Sequence, residues 1–375
     1  MTSCSAVVVG AGPAGLASAA CLKRRGIDPV VLESGPDLGH SWRNHYRRLH
    51  LHTVKAHSSL PGLPFPSRVP RYPSRDDVVA YLEAYAAHFG ITPHTGETVR
   101  RITKAGSNLI VEISRDTYSA PIVIVATGLN RAANAEQLPD QSLFKGAAVH
   151  ASRYVDGLPY AGQRVLVVGA GNTGAEIALD LAEHGATPTL SVRSPVNVVR
   201  RDFFGMPAQV TAIRTRWLPI AVADRIGSWL SRLAFGDLTR YGFPRPTMGA
   251  VSSIVLRGRI PIMDVGTIDA IKHGRIAVKP GVARLTKDGA VFTDGTATPF
   301  DAVIMATGYR PGLAGLVDIP GVLRDDGSPK DWQGGGVCPG LYFVGYESPP
   351  TGLIREIARR AEAVAADATR AAVPT

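Results

Sequence analysis

The chain has 375 residues, a net charge of +10 and an ordinary hydrophobic share of 45%. Its length allows two compact domains, and no apolar run reaches the roughly 18 residues that a membrane-spanning helix needs. Three scattered cysteines exclude a disulfide framework or a Cys-x-x-Cys redox centre, no metal site is expected, and no nucleic-acid-binding motif accompanies the basic charge. The first strand is predicted from Ser5, which leaves no room for a signal peptide, so we expect a cytoplasmic protein without integral membrane association. Its oligomeric state stays open.

The first predicted unit is a strand, a glycine-rich turn and a helix. The apolar run over 5–9 is followed by Gly10-Ala11-Gly12-Pro13-Ala14-Gly15 and an alanine-rich helix that ends near Arg25. In such a turn the first glycine permits the tight bend, the second lets a pyrophosphate approach the backbone, and the third lets the helix pack on the strand. The next strand ends in Glu33, where a carboxylate suits ribose hydroxyls. This unit therefore suits FAD, with candidate cofactor-binding residues Gly10, Gly12, Pro13, Ala14, Gly15, Glu33 and Ser34.

Downstream, a proline-rich loop over 60–73 precedes a helix that Ser74 is expected to cap. The predicted apolar face of that helix comprises Val78, Tyr81, Leu82, Tyr85 and Phe89. Two short strands over 98–102 and 109–113 indicate a hairpin. A buried strand over 122–125 then ends in Ala126-Thr127-Gly128.

A second unit has the same order of strand, glycine-rich turn, helix and strand as the first. A strand over 164–168 leads into Gly169-Ala170-Gly171-Asn172-Thr173-Gly174, a helix to His184 and a strand over 187–192. The residue after this strand is Arg193, and an arginine attracts the 2′-phosphate that a carboxylate would repel. The unit therefore suits NADPH, with Arg200 and Arg201 as further phosphate candidates. Its candidate binding residues are Gly169, Gly171, Asn172, Thr173, Gly174, Arg193 and Ser194.

The region over 200–253 has no strand-like pattern, and 217–235 within it indicates an amphipathic helix. This segment could line a substrate tunnel, touch a membrane surface or cover a core, and core cover is favoured for any single aromatic residue there. An apolar strand over 300–305 ends in Ala306-Thr307-Gly308-Tyr309, another over 341–344 ends in Gly345, and a helix is expected over 351–370.

These elements predict an α/β fold with two Rossmann-like dinucleotide-binding domains, the NADPH domain inserted into the FAD domain. The FAD domain is expected to comprise residues 1–158 and 296–375. The NADPH domain is expected over 159–295, with a helical insertion at about 200–253. The two crossings between the domains would lie near 127–160 and 295–308.

A further motif extends this interpretation. The segment from Phe144 to Tyr154 fits the pattern FxGxxxHxxxY just ahead of the second glycine turn. With the second glycine turn itself, Pro261–Gly266, Ala306–Tyr309 and Phe65–Tyr85, it resembles the flavin-dependent monooxygenases. The similarity is strongest to the YUCCA-type enzymes of the flavin-containing monooxygenase family and covers nearly the whole chain.

The resemblance implies a chemistry. NADPH would reduce FAD, reduced flavin would react with O2 to give a C4a-(hydro)peroxyflavin, and one oxygen atom would pass to a small organic substrate. A 2-oxo acid such as indole-3-pyruvate, which would undergo oxidative decarboxylation, is suggested; an amine, a sulfide or a ketone stays open. Most of the chemistry belongs to the cofactor, and no catalytic side chain is assigned. The asparagine that many relatives place near the flavin is absent from Leu49–Lys55.

The resemblance also assigns residues. Phe144, Gly146, His150 and Tyr154 would couple the domains, and a linking role is favoured over base catalysis for His150. Trp42 would contact the flavin, and His45, His50, His52 and His57 are interpreted as flavin-side packing or polar contacts. The remaining candidate cofactor-binding residues are Ser41, Trp42, Thr53, Val99, Ala126, Thr127, Gly128, Thr307, Gly308, Tyr309 and Gly345.

Two other functions compete with oxygenation. One is an NADPH-dependent flavin reductase or oxidase that passes electrons to a quinone, a protein or oxygen without oxygen insertion; the missing Cys-x-x-Cys disfavours the disulfide type. The other is a non-catalytic flavoprotein, which two intact glycine turns make improbable.

Overall fold

The computed structural model describes residues 1–134, 136–331 and 338–371. Short 3-10 turns lie at Lys55–His57, Gln141–Leu143, Ala151–Arg153, Leu158–Tyr160 and Leu238–Tyr241. The helices are, in chain order, α1 (Pro13–Lys23), α2 (His40–Arg43), α3 (Arg75–His88), α4 (Asn172–Glu183), α5 (Ala208–Arg214), α6 (Ile220–Phe235), α7 (Ala250–Arg257), α8 (Thr267–Lys272) and α9 (Leu353–Ala371).

The first sheet consists of parallel strands buried on both faces, as their unbroken Val and Ile runs predict. Helices α1, α3 and α9 pack on one face, and an antiparallel sheet packs on the other. The parallel strands lie in the order Leu341–Phe343, Val123–Val125, Val7–Val9 and Val30–Leu32. The covering sheet has the order Thr2–Ser3, Thr117–Ala120, Asn108–Ile113 and Val99–Ala105.

The second sheet is also parallel, and its central strand leads into the second glycine turn and α4, as the first sheet's strand leads into the first turn and α1. Helix α4 packs on its central strand, and its core includes Ile177, Leu181, Leu190 and Ile304. The strands lie in the order Ala277–Lys279, Thr187–Ser191, Arg164–Val168, Ala302–Met305 and Ala147–His150. Each sheet therefore carries one of the two glycine turns at the carboxyl end of a central strand.

The strand pairing places two segments differently from the sequence prediction. Ala147–His150 and Ala302–Met305 pair with each other and complete the second sheet, although boundaries at 158 and 296 had assigned both to the first domain. The prediction is wrong for these two strands. An apolar run reports that a strand is buried but does not report which parallel neighbour it pairs with.

The remaining strands are short or peripheral. The two-residue strands at 202–203 and 206–207 lie in the region where no strand was predicted, and they are too short to produce an alternating pattern. The peripheral pairs and the small meander are Val198–Arg200 with Ile262–Asp264, Asp202–Phe203 with Met206–Pro207, Ala132–Ala133 with Tyr309–Arg310, and Val282–Thr286, Gly289–Phe292 and Ala297–Pro299.

Helix α3 begins as predicted. The Ser74 hydroxyl accepts from the Asp77 N–H while the Asp77 carboxylate accepts from the Ser74 N–H, a reciprocal cap that satisfies two helix-end donors. The proline-rich loop packs on this helix, because the Tyr81 hydroxyl donates to the Leu63 carbonyl and the Tyr85 hydroxyl donates to the Pro61 carbonyl, both at 2.6 Å.

The helical insertion contains α5, α6 and α7. Phe235 and Phe243 are buried in the second core, but Trp217 and Trp229 are 77% and 63% exposed. The prediction that aromatic residues of this region cover a core is therefore wrong for the two tryptophans. Periodicity identified the helix correctly but did not reveal which of its faces lies against the domain.

Candidate functional site

The first glycine turn has the geometry that a phosphate cradle requires. Gly10 has φ +107°, and a Cβ there would lie 2.7 Å from the Ala126 carbonyl oxygen. A Cβ on Gly15 would lie 1.8 Å from the Gly10 carbonyl oxygen, so only glycine lets α1 approach the strand. In contrast, a Cβ on Gly12 would meet nothing within 4 Å, and no side chain caps α1. Pro13 has no N–H group, so the first free donor of α1 is the Ala14 N–H, and it lies beside the space that an anionic group can enter.

The second turn reproduces this geometry. Gly169 has φ +112°, a Cβ on Gly174 would lie 1.9 Å from the Gly169 carbonyl oxygen, and a Cβ on Gly171 would meet nothing within 4 Å. Helix α4 also lacks a side-chain cap, and Thr173 is half-buried in its first turn. Both turns thus leave the same uncapped helix end open, which fits two dinucleotides.

The Asn172 side chain has a structural partner. Its Oδ1 accepts from the Met263 N–H at 2.6 Å and its Nδ2 donates to the Pro261 carbonyl at 3.2 Å. Both polar ends of this amide therefore hold the second turn against the strand over 262–264.

Glu33 lies at the end of the strand that follows α1 and is 9% exposed. Its carboxylate accepts from the Ala11 and Gly35 N–H groups, both at 2.8 Å, and the exposed Ser34 hydroxyl lies 3.4 Å from it. Glu33 therefore orders the glycine turn itself.

Arg193 is exposed two residues beyond the end of the strand Thr187–Ser191, after the buried Val192 and beside Ser194. It forms no ion pair with any described residue, and its side chain passes Gly281, where a Cβ would lie 3.2 Å from Cγ. Arg201 is directed at an aromatic ring, because its guanidinium lies 4.0 Å from the Tyr72 ring centroid. Its Nε is buried and has no hydrogen-bond partner among the described residues. Arg200 lies 5.8 Å over Phe235. Of the three arginines, Arg200 and Arg201 therefore lie over aromatic rings, whereas Arg193 is exposed at the strand end.

The fingerprint residues lie along the edge of the second sheet. Phe144 packs in the core beneath this sheet, and a Cβ on Gly146 would lie 2.3 Å from the Asp301 carbonyl oxygen. His150 is 8% exposed; its Nε2 donates to the Gly308 carbonyl at 3.2 Å, and its Nδ1 accepts from the Ser152 N–H at 3.1 Å. A neutral ring protonated at Nε2 satisfies both contacts. His150 thereby connects the sheet edge to the crossing at 306–309, where it also meets the Tyr309 ring edge-on at 5.1 Å.

Burial lowers the pKa of His150, and the Gly308 carbonyl opposes this effect only in part. The unfolded chain then binds a proton at a higher pH than the native protein, so the free energy of unfolding should fall as pH decreases below about 6.5. We expect His150→Gln, compared with the wild type by urea unfolding of the FAD-loaded protein at pH 7.5 and 5.5, to reduce this acid sensitivity. An unchanged slope would contradict the assignment.

Tyr154 ties the fingerprint to α4. Its buried hydroxyl donates to the Asp180 carboxylate at 2.6 Å, and burial together with this carboxylate raises the pKa of Tyr154. We expect Tyr154→Phe to lower the free energy of unfolding by about 1.5–3 kcal/mol, because a buried carboxylate loses its hydroxyl donor. Urea denaturation measures the change. Tyr160→Phe is the matched control: its ring stacks on Tyr154, but its hydroxyl bonds no described residue, so a loss as large as that of Tyr154→Phe would refute the explanation.

The two crossings between the sheets run side by side. Tyr309–Arg310 pairs antiparallel with Ala132–Ala133, the Thr307 hydroxyl donates to the Asn134 carbonyl at 2.8 Å, and the Asn134 N–H donates to the Gly308 carbonyl at 2.9 Å. Ala126 adjoins Gly10 and Ala306 adjoins Gly169, so the segments that lead away from the two glycine turns are hydrogen-bonded to each other a few residues further on.

Other candidates lie around the first turn. The Thr127 N–H donates to the Tyr346 hydroxyl at 3.1 Å, and burial raises the pKa of Tyr346 to about 12. A Cβ on Gly345 would lie 3.1 Å from Ala14 Cβ, so the C-terminal strand returns to the first turn. Trp42 packs against the first core and Val99 is buried, whereas Ser41 is exposed. The Thr53 hydroxyl lies 2.8 Å from that of Ser58. Thr53 therefore has a hydrogen-bond partner within the protein, and Val99 is a core residue.

Sequence reasoning missed Gln209. This side chain is 4% exposed at the start of α5 and accepts from the Val54 N–H at 2.9 Å while donating to the Thr351 carbonyl at 2.8 Å. It therefore anchors the helical insertion to the loop that carries Thr53 and to the segment before α9. No local pattern marks it, because its partners are 155 and 142 residues away.

Sequence reasoning also missed a contact between the domains. His52 Nε2 lies 2.8 Å from the buried Glu176 carboxylate on α4, and Tyr46 packs in the second core, its pKa raised by burial and by Glu176. Arg48 makes a bidentate pair with Glu183, the last residue of the same helix. His52 was interpreted as a flavin-side residue, but its contact is with the helix that follows the second turn.

The cysteines do not form a redox pair. Cys4, Cys21 and Cys338 are unpaired. Burial raises the pKa of all three thiols, that of Cys21 to about 12. Disulfide exchange requires a thiolate, so these residues do not support disulfide reduction.

Comparison with known proteins decides the family. A family model described as pyridine nucleotide-disulphide oxidoreductase matches residues 7–203. The chain is 41% identical over 358 residues to indole-3-pyruvate monooxygenase YUCCA1 of Oryza sativa subsp. japonica, covering 91% of this chain and 86% of that protein. It is 37% identical over 351 residues to probable indole-3-pyruvate monooxygenase YUCCA1 of Arabidopsis thaliana, covering 91% and 84%. The chain belongs to the YUCCA-type flavin-dependent monooxygenases.

Solved structures agree with this assignment. The flavin-containing monooxygenase from Stenotrophomonas maltophilia is 26% identical with a TM-score of 0.75, and the match covers 100% of both chains. A cyclohexanone monooxygenase at 19% identity, with a TM-score of 0.78 over 99% and 88% of the chains, shares the fold. The α/β fold with two Rossmann-like domains is therefore confirmed. This YUCCA-type chain is an NADPH-dependent FAD monooxygenase, and the reductase alternative is disfavoured.

Proposed function

We propose that the YUCCA-type chain holds FAD on the first glycine turn and NADPH on the second, and that it converts an indole-3-pyruvate-like 2-oxo acid by oxidative decarboxylation. The observation that carries the substrate proposal is the 41% identity, over 91% of the chain, to a protein named as an indole-3-pyruvate monooxygenase. A match over 91% of the chain necessarily includes the second glycine turn and the helical insertion.

Each cofactor would be held by backbone as much as by side chains. The uncapped N–H groups after Gly12 and Gly171 would bind the two pyrophosphates, Glu33 would accept from ribose hydroxyls, and Arg193 would pair with the 2′-phosphate. When bound, FAD and NADPH supply the hydride transfer and the activation of O2. The hydrogen-bonded crossings, which tie together the segments that lead away from the two turns, support a nicotinamide lying against a flavin.

The protein's own part in the reaction would be positioning and exclusion of water. His150 and the Thr307–Asn134 hydrogen bond fix the two crossings between the sheets. Gln209 and the His52–Glu176 contact fix the loop over 52–57 against the second domain and the insertion. These contacts would keep the two proposed cofactor sites at a constant separation, which hydride transfer requires. No side chain is assigned as an acid or a base.

The reaction balances as follows: a 2-oxo acid, O2, NADPH and a proton give the one-carbon-shorter acid, CO2, water and NADP⁺. Purified FAD-loaded protein is incubated with indole-3-pyruvate, NADPH and ¹⁸O2. We expect indole-3-acetate with one ¹⁸O atom, formed in proportion to the NADPH consumed. Peroxide release with no labelled product would instead favour the oxidase alternative.

A parallel screen with an amine, a sulfide and a ketone tests the proposed substrate class separately from the monooxygenase reaction. Labelled oxygen in one of these products, with none in indole-3-acetate, would keep the monooxygenase assignment and overturn the 2-oxo acid. We also propose a cytoplasmic location, which the three unpaired cysteines favour because reducing compartments keep thiols free.

A further inference from the structure

The helical insertion presents an apolar stripe to solvent. Val222, Ile226, Trp229 and Leu233 recur at the spacing of one helical face of α6, and each is at least 40% exposed. The opposite face holds the helix to the body of the protein: Phe235 is buried, and the Ser231 hydroxyl donates to the Val198 carbonyl at 2.9 Å. An outward-facing stripe of this kind marks an interaction surface.

Helix α7 extends the surface. It packs beside α6, and the Asp224 carboxylate of α6 accepts from the Val251 N–H at 2.8 Å. Val255 and Leu256 at its C-terminal end are 54% and 68% exposed, and Trp217, just before α6, is 77% exposed. We call Trp217, Val222, Ile226, Trp229, Leu233, Val255 and Leu256 the insertion surface.

The charge around the insertion surface is strongly one-sided. Residues 204–260 contain eight arginines, two aspartates, and neither lysine nor glutamate. Asp224 caps α7, and Asp237 pairs with Arg245. The other seven, Arg214, Arg216, Arg225, Arg232, Arg240, Arg257 and Arg259, are exposed and form no salt bridge with a described residue. On α6, Arg225 and Arg232 lie along one edge of the apolar stripe.

This combination favours one occupant. A second copy of the chain, docked face to face through a two-fold interface, would bring the same arginines together, and like charges oppose such contact. An anionic lipid surface complements both features, because apolar side chains enter the headgroup boundary while arginines meet phosphates. Tryptophan is typical of that boundary. Among the described residues, none of the helices has the length and apolar character of a membrane span.

We propose that the insertion surface binds anionic phospholipid bilayers, with α6 lying in the headgroup plane. The inference is independent of the substrate, since it rests on exposure and charge alone.

The test is sedimentation of the full-length, FAD-loaded protein with vesicles. Vesicles of mixed phosphatidylglycerol and phosphatidylcholine should bind the wild type, vesicles of pure phosphatidylcholine should bind it at least tenfold more weakly, and added salt should release it. The double variant Trp229→Glu/Leu233→Glu should lose at least tenfold in binding while keeping its FAD content and melting temperature, because both side chains are exposed. Leu143→Glu/Leu158→Glu, two exposed leucines outside the insertion, is the matched control and should bind like the wild type.

Three results would overturn the proposal. The wild type could fail to bind either vesicle type. Binding could fall equally in the control variant, which would make the contact non-specific. Alternatively, light scattering could reveal a dimer that Trp229→Glu/Leu233→Glu dissociates while vesicle binding is absent; a second copy would then be the occupant. None of these readouts depends on oxygenation, so failure here is distinguishable from failure of the substrate proposal.

Discussion

Gly171→Ala is expected to weaken NADPH binding about 10- to 100-fold while leaving the fold and the FAD intact. Gly171 has φ −91°, which alanine adopts freely, and its Cβ would meet no protein atom within 4 Å. The methyl group would instead occupy the space through which a pyrophosphate approaches the backbone. Loss of one hydrogen bond to a charged group costs about 1.5–3 kcal/mol, so we expect the Kd for NADPH to rise about 10- to 100-fold.

The measurement is NADPH titration by flavin fluorescence, with FAD content and melting temperature recorded on the same samples. Gly227→Ala is the matched control: this glycine of α6 also has no atom within 4 Å of a Cβ, and its substitution should leave NADPH binding unchanged. Gly174→Ala is unsuitable, because its Cβ would lie 1.9 Å from the Gly169 carbonyl oxygen and the turn itself would break. Unaltered NADPH affinity in Gly171→Ala would mean that the second turn is not the nucleotide cradle.

The reciprocal variant separates the two sites. Gly12 is equally open, so Gly12→Ala should lower FAD content without the steric collapse that Gly15→Ala would cause. Loss of FAD from the Gly12 variant and loss of NADPH from the Gly171 variant would assign one cofactor to each turn. The opposite pairing would reverse the assignment.

The glycine turns were the most predictable part of this protein. Their spacing is a local property, and the requirements at Gly10, Gly15, Gly169 and Gly174 are imposed by backbone atoms a few residues away or on the adjoining crossing. The strand over 164–168 was also predicted to the residue, because one continuous buried run is bounded by a polar residue and a glycine.

What sequence could not supply was long-range pairing. The contacts of Gln209 with residues 54 and 351, and of His52 with Glu176, join segments that carry no shared pattern. Strand 302–305 was identified but assigned to the wrong sheet for the same reason. Likewise the period of α6 was recognised, yet an apolar stripe predicts core contact as readily as an outward surface, and the three-dimensional placement alone separates the two.

Arg193→Ala should convert the preference for NADPH into near indifference between NADPH and NADH. The guanidinium of Arg193 is exposed after the strand Thr187–Ser191 and lacks a competing ion pair among the described residues. A 2′-phosphate can therefore recruit it without breaking an existing contact. The same 1.5–3 kcal/mol for a hydrogen bond to a charged group predicts a rise in KM for NADPH of about 10- to 100-fold, with KM for NADH changed little.

Steady-state NADPH and NADH consumption across ionic strengths measures the effect. In the wild type, KM for NADPH should rise with salt, since a surface ion pair is screened, and Arg193→Ala should flatten this dependence. Arg200→Ala tests the alternative phosphate ligand: Arg200 lies over the Phe235 ring, so its loss should affect both cofactors alike. If Arg200→Ala alone altered the NADPH-to-NADH ratio, the phosphate would lie nearer the helical insertion, and the strand-end arginine would have no part in cofactor choice.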